Sequence, residues 1–166
     1  MDSPQRRRER RGYFSYFFSV RSRKEINPSP PGKKQREQTM DMNQLSSKII
    51  GAAIEVHKAL GPGLLESAYE KCLCHELKLR GLSFDNQKPL PLVYKGKKLD
   101  CGYQLDMVVE DVIILELKSC EKIEPIHKAQ LLTYLKISDL KLGLLLNFNV
   151  PVMRDGIVRI VNELEE

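Results

Sequence analysis

Tyr103-Gln104-Leu105-Asp106-Met107-Val108-Val109, a turn at Glu110-Asp111, and Val112-Ile113-Ile114-Leu115-Glu116-Leu117-Lys118 read as two apolar strands joined into a hairpin. Side chains alternate along a strand, so Glu116 and Lys118 share one face while Leu117 takes the other. A carboxylate and an ammonium ending such an apolar strand are costly to bury unless paired or bound to a metal. Asp106 is a lone acid inside the other strand, and the turn decides where it faces. A strict two-residue turn sets Asp106 opposite Leu115, on the wrong face. A three-residue turn or a one-residue bulge sets it opposite Glu116, and bulges often re-aim side chains beside active sites. In that register two carboxylates converge, and like charges so close favour a cation between them.

Outward from the hairpin the pattern is regular. Leu45, Ile49, Ala52, Val56 and Leu60 recur at helical spacing, and Gly61-Pro62 stops that helix. A second helix fits 64–80, closed by Gly81. Strands are expected at 82–84 and 90–94, with a turn at Gly96 before the hairpin. Pro125 opens a helix to about Ile137. The continuous apolar run 142–148 suits a strand covered on both faces, and Gly156 precedes a last strand at 157–161. The helix between the 112–118 and 142–148 strands is a crossover long enough for a parallel pair. The expected architecture is α/β, one mixed β-sheet flanked by helices.

The chain has 166 residues, which points to one domain with a sizeable core. No apolar stretch reaches the roughly 20 residues that a membrane span needs. The formal charge is +5, yet from Met40 onward sixteen lysines and arginines face eighteen aspartates and glutamates. Polyanion binding by the folded part must therefore come from a local patch. Cys72, Cys74, Cys101 and Cys120 show no zinc spacing and read as free thiols in a reducing cytoplasm.

Residues 1–42 differ from the rest: a basic run at Arg6–Arg11, aromatics at 13–18, then Asn27-Pro28-Ser29-Pro30-Pro31-Gly32. Their composition reads as a disordered basic, Pro-rich extension rather than a nucleic-acid tail or membrane-surface segment. The domain proper is expected over 43–162, with an acidic tail at 163–166. A chain starting at Met40 should melt at the same temperature as the full chain. A markedly lower midpoint would show that the extension packs on the domain.

Three further residues invite chemistry. Glu66 precedes Tyr69, Leu73 and Leu77 on a helical stripe that should face the sheet; the competing reading is a solvated first-turn acid at the positive helix end. Gln130 and Tyr134 share a helix face and could reach a site or a phosphate. His57, His75 and His127 read as surface or packing residues.

These residues in this order resemble a known family. Gly63-Leu64-Leu65-Glu66-Ser67-Ala68-Tyr69 matches the signature of the GxxExxY protein family, within the PD-(D/E)XK nuclease superfamily. Asp106, Glu116-Leu117-Lys118, Gln130 to Tyr134 and Gly143 to Phe148 match its later blocks, so the resemblance covers roughly residues 45–162. It implies a restriction-endonuclease-like fold and phosphodiester hydrolysis in DNA or RNA with Mg²⁺ or Mn²⁺. Asp106, Glu116 and the Leu117 carbonyl would ligate metal, with Glu66 holding a second ion or a water. Lys118 would position the attacking water, and Gln130 and Tyr134 would touch substrate. One departure stands out: Gln104 occupies a position where the family usually has Arg, which implies weaker phosphate contact here. The rival expectation is a catalytically silent module that binds nucleic acid or a protein partner.

Overall fold

The computed structural model describes residues 41–162, so the expectations for the extension and the acidic tail lie outside the described residues. Helix α1 spans Met42–Leu60 and ends at Gly61, whose positive φ of 69° reverses the chain. Helix α2 spans Glu66–Leu79. Five strands form the main sheet: β1 Phe84–Pro89, β4 Gln104–Val109, β5 Ile113–Lys118, β6 Leu142–Asn147 and β7 Ile157–Val161, in the order β1-β4-β5-β6-β7. A separate two-stranded sheet pairs β2 Leu92–Tyr94 with β3 Lys97–Leu99. Helix α3 spans Pro125–Ser138, and a short 3₁₀ turn covers Met153–Gly156.

The sheet is mixed, as expected. β5 and β6 run parallel with Leu115 beside Leu144, and α3 makes the crossover between them. All other neighbours in the sheet are antiparallel. Helices cover both faces. On one, Leu45, Ile49, Tyr69 and Leu73 from α1 and α2 pack with Met107, Leu115, Leu117 and Leu146. On the other, Leu131, Tyr134 and Leu135 from α3 pack with Ile114 and Leu145. β6 is buried along its whole length, which is why its sequence does not alternate. Gly143 lets α3 approach β6, because a Cβ there would lie 2.8 Å from the Leu131 side chain.

Two departures from the sequence reading concern polar strands. The strand expected at 82–84 begins at Phe84 and continues through Asp85-Asn86-Gln87-Lys88 to Pro89. β1 is a sheet edge, where most side chains face water and apolar alternation is not required. The stretch expected as one strand at 90–94 is instead half of the β2–β3 hairpin, turned at Lys95-Gly96, both with positive φ. Its second half, Lys97–Leu99, is too polar and short to register as a strand in sequence.

Candidate active site

The connection from β4 to β5 settles the register question. Val109 pairs with Ile113, leaving Glu110, Asp111 and Val112 as a three-residue turn. Glu110 and Asp111 take φ of 51° and 56°, and the Val112 N–H donates to the Val109 carbonyl at 3.0 Å. Both residues occupy the left-handed region without being glycine, which the short Asp side chain tolerates well and Glu less so. Met107 thus lies opposite Leu115, and that register, continued past the last paired residues, leads Asp106 toward Glu116, whose carboxyl feels its charge.

Past Met107 and Leu115 the ladder changes character. The Leu117 N–H donates to Asp106 Oδ2 at 2.9 Å, so a side-chain carboxylate accepts the bond there. Facing changes at the same place: Leu105 joins the core under α3, whereas Met107, two residues on, joins the core under α1 and α2. On the other side of β4 the regular pairs Asn86 with Met107 and Lys88 with Leu105 bracket Gln87, whose φ is 51°. The sheet is therefore distorted at Asp106 on the β1 side, and the distortion accompanies the re-aimed carboxylate.

Glu116 is only 3 % exposed. Its Oε2 lies 3.5 Å from Lys118 Nζ, while its Oε1 is buried with no hydrogen-bond partner in the protein. Burial, then the nearby Asp106 charge, push its carboxyl up from 4.5 to about 7, with Lys118 opposing. Burial also raises Asp106, against the lowering effects of the Leu117 N–H and Lys118. Two carboxylates and one ammonium are thus gathered where β4 and β5 part.

Glu66 is exposed on the first turn of α2, and its Oε1 accepts the Ser119 N–H at 3.1 Å. Ser119 also donates its hydroxyl to the Leu64 carbonyl at 2.6 Å, tying the start of α2 to the end of β5. Tyr69 secures the same loop from inside: its hydroxyl donates to the Gly61 carbonyl at 2.6 Å and accepts from the Leu64 N–H at 3.1 Å. Its ring stacks on Phe148 with centroids 4.4 Å apart. On the α3 side, Gln130 Nε2 donates to the Tyr134 hydroxyl at 2.8 Å. Burial raises the Tyr134 hydroxyl above its ordinary range, and the Gln130 hydrogen bond opposes it. The charges of Glu116, Asp106 and Lys118 also act on this hydroxyl.

Several supporting residues escaped the sequence reading. Asn147, buried at the end of β6 beside Lys118, accepts the Cys120 N–H at 3.1 Å and donates to the Cys120 carbonyl at 2.9 Å. It fixes the chain leaving the site, and a side chain at Gly156 would collide with its carbonyl oxygen. The signal was an amide closing the apolar run 142–146. Glu70, one turn after Glu66, accepts from Asn86 Nδ2 at 2.8 Å and Gln87 Nε2 at 2.7 Å, and its charge is felt by Asp106. Its spacing from Glu66 was the available clue. His57 is a packing residue, bonded through Nε2 to the Val150 carbonyl at 2.8 Å. His127 instead caps α3: its Nδ1 accepts the Glu124 N–H at 3.1 Å.

Among the described residues no three His, Cys, Asp or Glu side chains form a ready-made ligand set, and Glu66 is engaged by the Ser119 N–H. The fit to a divalent ion rests on Asp106 and Glu116 alone. Hard carboxylate oxygens, one of them buried without a partner, are donors of the kind Mg²⁺ or Mn²⁺ accepts.

Glu116 also gives a stability test. Between about 4.5 and 7 the folded protein keeps a proton that the unfolded chain releases. Stability should therefore fall as pH rises through that window and level off above it. Glu116→Gln should remove this loss: near pH 4.5 it should match wild type, and near pH 8 it should be more stable by on the order of 3 kcal/mol. Urea unfolding at the two pH values measures the difference, and an unchanged gap would contradict the buried-carboxylate account.

Among the described residues no helix is long and apolar enough to cross a membrane. No curated protein and no solved structure matches the chain significantly. A family model does match, over residues 43–160, which takes in every strand and helix that frames the acidic pair. With that match spanning most of its length, the chain belongs to the PD-(D/E)XK nuclease superfamily.

Proposed function

We propose that the domain hydrolyses phosphodiester bonds in nucleic acid with Mg²⁺ or Mn²⁺, as a member of the GxxExxY branch of the superfamily. The observation that carries this reading is the buried, unpartnered Oε1 of Glu116 beside Asp106 and Lys118. A buried polar atom left without a partner costs stability, so its retention calls for a functional reason such as a bound ion. Asp106 and Glu116, with the Leu117 carbonyl, would hold the ion. When bound, it would lower the pKa of a coordinated water and neutralise charge developing on phosphorus.

The chain's own groups would do the rest. Lys118, with its stem fixed by β5, would orient the attacking water and stabilise charge on a phosphoryl oxygen. Glu66, held at the turn after β5 by Ser119, would orient a second water or contribute to a second ion. Gln130 and Tyr134 would contact the substrate from α3. A screen of single- and double-stranded DNA and RNA with Mg²⁺, Mn²⁺ or EDTA tests the proposal. Metal-dependent cleavage of at least one substrate, lost in EDTA, is the expected result.

A second reading is a silent module that binds nucleic acid or a protein without cutting. The engagement of Glu66 by Ser119 and the exposed Gln104 favour it. Metal binding without cleavage of any substrate would select this reading.

A further inference from the structure

Over residues 41–162 sixteen lysines and arginines face fifteen aspartates and glutamates, so net charge alone gives a strand little attraction to this part of the chain. A nucleic-acid strand reaching the acidic pair therefore needs a local basic element near it. Residues 91–102 leave the main sheet between β1 and β4 and carry the β2–β3 hairpin. The excursion is closed at its base by the Leu90 N–H donating to the Tyr103 carbonyl at 2.8 Å. It holds Lys95, Lys97 and Lys98 against a single acid, Asp100. All three lysines are exposed, and none forms an ion pair among the described residues. Tyr94, 60 % exposed, has Lys95 Nζ 5.4 Å from its ring centre.

The base of this excursion lies on the α3 side of the sheet, where Leu90, Leu105 and Tyr134 pack together. Tyr103 is 48 % exposed, and its ring centre is 6.3 Å from that of Tyr134, tilted by 57°. Tyr134 in turn responds to the charges of Glu116, Asp106 and Lys118. Along an extended strand, Asp106 lies three residues beyond Tyr103, roughly 10 Å at about 3.3 Å per residue.

We propose that residues 91–102 form a basic arm that holds the backbone of single-stranded nucleic acid, with Tyr103 as the surface on which one unpaired base stacks. This rests on the nuclease reading, which places the strand at Asp106 and Glu116. Three unpaired ammonium groups on a short hairpin suit successive phosphates, each neutralised with release of a counterion. An exposed aromatic ring suits an unpaired base, because bases within a duplex already have both faces stacked. Duplex DNA would meet the lysines but gain nothing from Tyr103.

The test is binding of a short fluorescent oligonucleotide, DNA and RNA versions, single-stranded and as its duplex, to the full chain. EDTA prevents metal-dependent cleavage, and the basic residues 6–11 give every variant the same background. Wild type should bind the single strand more tightly than the duplex. Replacing Lys95, Lys97 and Lys98 together by Ala should reduce the salt slope of single-strand binding by about 2, since each lost phosphate contact contributes roughly 0.7. Tyr103→Ala should weaken single-strand binding by about tenfold and leave duplex binding unchanged, while Tyr103→Phe should retain it. An unchanged salt slope in the triple variant, or equal losses on single strand and duplex for Tyr103→Ala, would overturn the arm. The exposed lysines keep the test valid even where Tyr103→Ala disturbs folding. Cleavage failure in wild type with arm-dependent binding intact would overturn the nuclease reading and support the arm. Normal cleavage with the salt slope unchanged in the triple variant would do the reverse.

Discussion

Lys118→Ala should lower nucleic-acid cleavage by at least about a hundredfold while leaving the metal-induced rise in melting temperature intact. General acid–base and charge-stabilising groups each contribute on the order of 10² to 10⁴ in rate. Lys118 is not among the proposed ligands, so its loss should leave Asp106 and Glu116 able to bind an ion. Removing the ammonium also leaves Glu116 without its one ion-pair partner, at 3.5 Å, so the apo variant should be somewhat less stable. The measurement pairs single-turnover cleavage with Mn²⁺ melting curves for both proteins. Undiminished cleavage would remove Lys118 from the chemistry. Loss of the metal shift together with cleavage would instead make its role electrostatic support of the carboxylates.

Asp106→Asn should abolish most of the stabilisation by Mn²⁺ and at the same time raise the stability of the metal-free protein. Binding to the native state alone stabilises by about 2.7 kcal/mol at one hundred times Kd. Asp106 should account for most of that figure, because among the described residues it is one of two carboxylates gathered at the site. The metal-free gain follows from the same geometry. Asp106 raises the Glu116 carboxyl by repulsion, and its own carboxyl is raised by burial. An amide retains an oxygen to accept the Leu117 N–H, so the bond at 2.9 Å should survive. Melting curves with and without Mn²⁺ supply both readings. Equal metal shifts in wild type and Asp106→Asn would sink the assignment of the ion to this pair. A shift lost in the variant, with no cleavage by wild type, would favour the silent binding module.

Local covalent geometry made part of this protein legible without coordinates. Period-3.6 apolar spacing marked α1 and α2, and unbroken apolar runs marked β5 and β6. The helix between those runs offered a crossover long enough for a parallel pair, which is how β5 and β6 lie. Strand alternation alone puts Glu116 and Lys118 on one face, and Oε2 and Nζ are indeed 3.5 Å apart. What the sequence left open depended on contacts between distant segments. Glu110-Asp111 has no glycine to dictate a turn type, so both turn lengths remained until strand pairing selected the three-residue form, whose register leads Asp106 toward Glu116. The polar edge strand β1 exists because β4 supplies its hydrogen bonds, not because its own residues prefer a strand. Glu66 meets the end of β5 through Ser119, 53 residues away in sequence. Residue spacing within one segment determined which groups were available and which shared a face. Burial and long-range hydrogen bonding decided which of them meet, because those energies are set only when separate segments pack together.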